Sequence, residues 1–130
     1  MFIDFQSYFE PIIKISLNTD EIGQIPEFTL ITSQRSYKFT AIGDCCSKSV
    51  FRKNNQKFSY LIGKVIKNIE EIDFPELYEF DFNKDKEEDV YISPHLYEIS
   101  FKNCEETFQF ILLNYSNGYY DGWIEANVIE

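Results

Sequence analysis

Two segments near the C-terminus set the strongest limit on the fold. From Leu96 to Lys102, the residues Leu96, Glu98, Ser100 and Lys102 alternate with Tyr97, Ile99 and Phe101. From Thr107 to Tyr115, Phe108, Phe110, Leu112 and Asn114 alternate with Gln109, Ile111, Leu113 and Tyr115. A strand sends successive side chains to opposite faces, so this period of two predicts strands. Asn103 to Glu106 supplies the turn between them. Asn117-Gly118 is the strongest short turn signal in the chain, because both residues tolerate positive φ. Tyr119 to Glu125 then leads to the end.

Upstream, Ile12 to Leu17 reads as a strand with Ile13, Ile15 and Leu17 on one face. Phe28 to Thr32 and Ser36 to Ile42 form a hairpin candidate around Ser33-Gln34-Arg35. Lys64 to Ile72 favours a strand because of its β-branched residues. Its apolar spacing, Val65, Ile66, Ile69 and Ile72, also fits a helix. Phe2, Phe5 and Phe9 recur at helical spacing and Pro11 would end that helix. Asp44 is placed to cap a second short helix from about Cys45. The expected fold class is therefore α+β, mainly antiparallel sheet with one or two short helices, in a single domain over 1–130.

Composition supports a real core. Apolar residues make up 44%, aromatics 18%, with 13 Phe and 9 Tyr, too much apolar surface for a disordered chain. No apolar run approaches the roughly 20 residues that cross a bilayer. Met1-Phe2-Ile3-Asp4 has no basic or apolar leader character, and the three cysteines, Cys45, Cys46 and Cys104, are odd in number. A cytoplasmic, reducing setting with packed free thiols is expected. These cysteines and the lone His95 form no zinc pattern, so no metal or other cofactor is expected.

The formal net charge is −10. Phosphate contact needs Lys and Arg, so direct nucleic-acid binding is disfavoured. The charge is also blocked along the chain. Lys48, Arg52, Lys53, Lys57, Lys64 and Lys67 are followed by Glu70, Glu71, Asp73, Glu76, Glu79, Asp81, Asp85, Glu87, Glu88 and Asp89, opposed only by Lys84 and Lys86. Like-charge blocks tend to be solvated interaction surfaces. The two blocks could equally pair with each other. The acidic stretch 73–93 reads as a loop, yet Phe74, Leu77, Tyr78, Phe80 and Phe82 are too apolar for a solvated linker.

Gly43-Asp44-Cys45-Cys46-Ser47-Lys48-Ser49 is followed by Leu61-Ile62-Gly63-Lys64-Val65-Ile66, and later by Asn114 to Trp123. This order resembles a small uncharacterised domain family of bacteria and their phages, with a DCCS element, an IGK strand and a closing NGYYxGW element. The likeness covers roughly Phe28 to Glu125 and leaves 1–24 as an N-terminal extension. It implies a bacterial or phage origin and a compact β-rich fold, and assigns no activity.

The expected function is binding without catalysis. A nucleophilic cysteine needs a base, and His95 is the single histidine, so a Cys45 or Cys46 enzyme is a distant alternative. Tyr119, Tyr120 and Trp123 form either core or a contact surface. The leading expectation is a cytosolic immunity-type inhibitor of a bacterial toxin, for example a basic nuclease. Its partner-binding residues would be Glu76, Glu79, Asp81, Asp85, Glu87, Glu88 and Asp89, with Tyr78 and Phe80 as anchors. The alternative is a phage or mobile-element inhibitor of a host defence enzyme, acting as a nucleic-acid mimic on the same surface.

Overall fold

The computed structural model describes residues 3–45, 47–53, 56–73, 91–116 and 121–130. They form eight strands: β1 (Ile12–Asn18), β2 (Glu27–Thr32), β3 (Ser36–Gly43), β4 (Lys48–Lys53), β5 (Ile66–Ile72), β6 (Tyr91–Phe101), β7 (Thr107–Ser116) and β8 (Gly122–Ile129). Every strand pair is antiparallel. One sheet runs β1-β2-β3-β8 and the other β4-β7-β6-β5.

The inward faces of the two sheets share one core. Phe28, Leu30, Tyr37, Phe39 and Ile124 come from the first sheet; Phe51, Ile69, Ile99, Phe108, Phe110 and Leu112 come from the second. Phe28 ties them together. Its ring lies 5.0 Å from Phe39, 5.0 Å from Phe51 and 5.4 Å from Phe110, between centroids. The second sheet is apolar on its other face as well, where Val50, Leu96, Ile111 and Leu113 are buried. Burial on both faces explains the continuous apolar run of β7, since a strand covered on both sides has no face to leave polar. Pro94 fits within β6 because β5 ends opposite Leu96, leaving β7 as its described neighbour at that point.

The fold is mainly β, which corrects the α+β expectation. Among the described residues there is no α-helix, only two short 3-10 turns, Phe5–Ser7 and Phe58–Leu61. The Asp4 carboxylate does cap the first by accepting from the Gln6 N–H at 3.1 Å. With β1 beginning at Ile12, however, the segment has no room to repay helix nucleation. No helix forms at Cys45 either. Asp44 acts through its backbone, its carbonyl accepting from the Ser47 N–H at 2.9 Å, and β4 follows at once.

Two β-bulges correct finer expectations. A register shift between Ile12 and Lys14 puts Ile12 in the core and leaves Ile13 57% exposed, so Ile13 does not share the face of Ile15. A second shift, between Ile66 and Asn68, changes the parity of β5. Ile69 then enters the shared core while Ile72 packs with the opposite cluster. That is the origin of the helix-like spacing. The IGK element is a turn rather than a strand: Gly63 has φ +84° and its N–H donates to the Ile12 carbonyl.

Residues 3–24 are integral to the sandwich. β1 pairs with β2 along its length, and the Lys102 ammonium donates to the Tyr8 carbonyl at 2.7 Å. Among the described residues no helix is long and apolar enough to cross a membrane.

Candidate functional site

Asp44, Ser47 and Ser49, from in and beside the DCCS element, meet Asn114, Asp121 and Gly122 at one corner of the sandwich. The buried Asn114 amide donates to Ser47 Oγ at 3.0 Å and Ser49 Oγ at 2.9 Å. The Asp44 N–H donates to the Asp121 carbonyl at 3.0 Å. Gly43 and Gly122 sit opposite each other in the β3–β8 register. A Cβ on Gly122 would come within 2.1 Å of Ser49 Oγ and 2.8 Å of the Ile42 carbonyl, so the corner closes only around glycine. These residues therefore have a structural job, which is to tie the start of β4 to the start of β8 and to fix Asp121.

Asp121 is one arm of a three-residue clasp. His95 Nδ1 lies 2.6 Å from Glu71 Oε1 and its Nε2 lies 3.0 Å from Asp121 Oδ1. Glu71 comes from β5, His95 from β6, and Asp121 directly precedes β8. The clasp thus joins the two sheets. Both ring nitrogens face carboxylates, and a ring that donates twice is the protonated imidazolium. Burial alone would lower the His95 pKa, but the bonds to Asp121 and Glu71 outweigh it and hold the value above the ordinary one. For Asp121 burial acts in the raising direction. The His95 and Gly122 N–H bonds and the His95 charge overcome it and depress the carboxyl.

This linkage has a definite sign. Unfolded, the ring titrates near its ordinary 6.5; folded, it keeps its proton to higher pH. The clasp's stabilisation is complete below about 6.5 and is lost as pH rises through the raised folded value. At the acid end, Asp121 stabilises above its ordinary range and loses that contribution as pH falls through its depressed value. Glu71 and Asp121 are 51% and 60% exposed, so solvent limits the effect to about 1 kcal/mol. Urea midpoints at pH 6 and pH 9 should show the wild type losing this increment, and His95→Gln should show no such loss.

Beside the clasp, between the edge strands β5 and β8, lies a cleft of about 310 Å³ lined by Ile69, Glu70, Glu71, Tyr97, Trp123 and Ile124. Tyr97 is stacked on Phe110, with centroids 5.4 Å apart and planes at 13°. Burial, then the Glu71 and Asp121 charges, push its phenol up to about 12, so it stays neutral. Trp123 is the chain's single tryptophan and is 49% exposed. Glu70 makes no ion pair with any described residue.

The sequence-derived partner residues Glu76, Tyr78, Glu79, Phe80, Asp81, Asp85, Glu87, Glu88 and Asp89 lie outside the described residues, as do Cys46, Asn117, Gly118, Tyr119 and Tyr120. Cys45 and Cys104 are exposed rather than packed in the core; Cys104 Sγ donates to the Glu106 carbonyl at 3.7 Å. Of the basic block, Lys48 pairs with Asp20 at 3.1 Å, and Lys64 lies 3.8 Å over the Tyr60 ring. Neither contact uses the acidic block. No group of three or more His, Cys, Asp or Glu among the described residues is arranged to hold a metal ion.

A curated relative from Acanthamoeba polyphaga mimivirus, an uncharacterized protein, is 38% identical over 94 residues. The match covers 68% of this chain and 65% of the relative, so the chain spans less than two thirds of that protein's length. No protein-family profile matches the chain, and no solved structure matches it.

Proposed function

We propose that this chain is a non-catalytic, cytoplasmic binding protein, an immunity-type inhibitor that neutralises a basic toxin such as a nuclease through an acidic surface. The observation that carries the reading is the state of its one histidine. A general base needs a free ring nitrogen near the substrate. Both nitrogens of His95 are held by carboxylates, so the residue serves to join sheets rather than to activate a nucleophile. Around it stand exposed groups suited to contact: Glu70, Glu71, Asp121 and Trp123. The acidic stretch from Glu76 to Asp89 extends the same charge along the chain directly after β5. An acidic surface accelerates encounter with a basic partner and discourages acidic ones, nucleic acid included.

A second reading, an inhibitor of a host defence enzyme that acts as a nucleic-acid mimic, draws support from the viral source of the mimivirus relative. It uses the same surface and differs in the partner's identity.

Capture from the native host with this chain as bait tests the proposal. The expected partner is a basic protein, released by salt, whose toxic or nuclease activity the chain suppresses. A partner of acidic charge, or one whose activity is untouched by stoichiometric binding, contradicts it.

A further inference from the structure

We infer that the cleft between β5 and β8 is a receptor for a guanidinium group, namely one arginine side chain of the basic partner. The inference rests on the binding reading above and names the chemistry of one contact within it. Three features of the cleft converge on this ligand. Its walls are partly aromatic, with Tyr97 held flat against Phe110 and the Trp123 indole open to solvent. Its charge is negative, because Glu71 and the adjacent Asp121 share, among the described residues, the single His95 imidazolium. Its volume, about 310 Å³, takes a side-chain head rather than a whole small protein element.

Arginine meets these terms better than lysine. The guanidinium is planar and weakly hydrated, stacks on aromatic faces, and pairs in a fork with carboxylates. It can therefore enter a half-apolar cleft with a small loss of hydration, whereas the compact ammonium surrenders more. Aromatic faces beside carboxylates also attract cations through the ring quadrupole. Neutral Tyr97 adds no competing charge, since its phenol stays protonated. The Glu71 oxygen bonded to His95 is Oε1, which leaves Oε2 to meet a ligand without undoing the clasp.

Trp123, as the chain's one tryptophan, reports directly on the cleft. The probe is N-acetyl-arginine methylamide, and its control is the citrulline counterpart, which is isosteric and uncharged. Titration of the wild type should change Trp123 emission saturably with the arginine amide in the ~millimolar range. The citrulline amide should bind at least about tenfold more weakly. Glu71→Gln should lower arginine affinity about tenfold. Glu70→Gln, whose side chain leaves β5 on the opposite face, keeps the clasp intact and should bind the amide as the wild type does. Equal responses to the two amides, or a linear response without saturation, overturn the inference. If a basic partner still binds in a salt-dependent way while the amides are not discriminated, the cleft assignment falls and the broader binding reading stands. Discrimination without any basic partner supports the cleft and removes the broader reading.

Discussion

Phe28→Ala should destabilise the protein by about 3–5 kcal/mol, the range for deleting a fully buried ring. Phe28 is 1% exposed and its ring meets Phe39 from its own sheet and Phe51 and Phe110 from the other. Phe58, from the second 3-10 turn, closes the fourth side at 5.6 Å. Removing the ring takes away transfer free energy and leaves a cavity that four rigid neighbours cannot fill by collapse. Edge-to-face and offset pairs are lost with it, each a further fraction of a kcal/mol. Typical domains are stable by about 5–15 kcal/mol, so the variant should fold at low temperature with a sharply lower urea midpoint. Phe28→Leu keeps most of the volume and should lose far less. A loss under about 1 kcal/mol for the alanine variant would mean that the two sheets do not share this core.

The second large effect concerns charge. Changing Glu76, Glu79, Asp81, Asp85, Glu87, Glu88 and Asp89 to their amides takes the formal net charge from −10 to −3. If these carboxylates steer a basic partner, association should slow by about 10- to 1,000-fold at low salt. Dissociation should change less, because rim charges act mainly on encounter. The difference should fade as ionic strength rises, since the Debye length shrinks from about 30 Å at 0.01 M to about 8 Å at 0.15 M.

Much of the fold is legible from alternation. β2, β3 and β7 stand where period two places them, β6 does so from Leu96 on but begins at Tyr91, inside the stretch read as a loop, and Tyr37 and Phe39 face inward as their spacing predicts. What alternation misses is any position where parity breaks. The bulges at Ile12/Lys14 and Ile66/Asn68 each reverse the faces on one side of them, and no local residue announces them. The short helices fail for a different reason. Capping residues such as Asp4 and Asp44 are equally at home in turns, and tertiary pairing of the next strand decides between the two.

The candidate site is less legible than the fold. Glu71, His95 and Asp121 lie 24 and 26 residues apart in the chain. They converge only because β5 pairs with β6 while β8 belongs to the other sheet. Period two does put His95 and Tyr97 on one face of β6, but sheet order is needed to see that Glu71 joins them. Trp123 is visible in the sequence as a contact candidate, and the structure leaves it half-exposed at the cleft.

The association rate with the captured partner, measured for the wild type and the seven-amide variant at 0.01 M and 0.15 M salt, tests the central claim most directly. An outward acidic surface predicts a fast wild-type rate that collapses with salt, a slow variant rate that barely responds, and convergence of the two at the higher salt. Equal rates for both proteins, unmoved by salt, would contradict it.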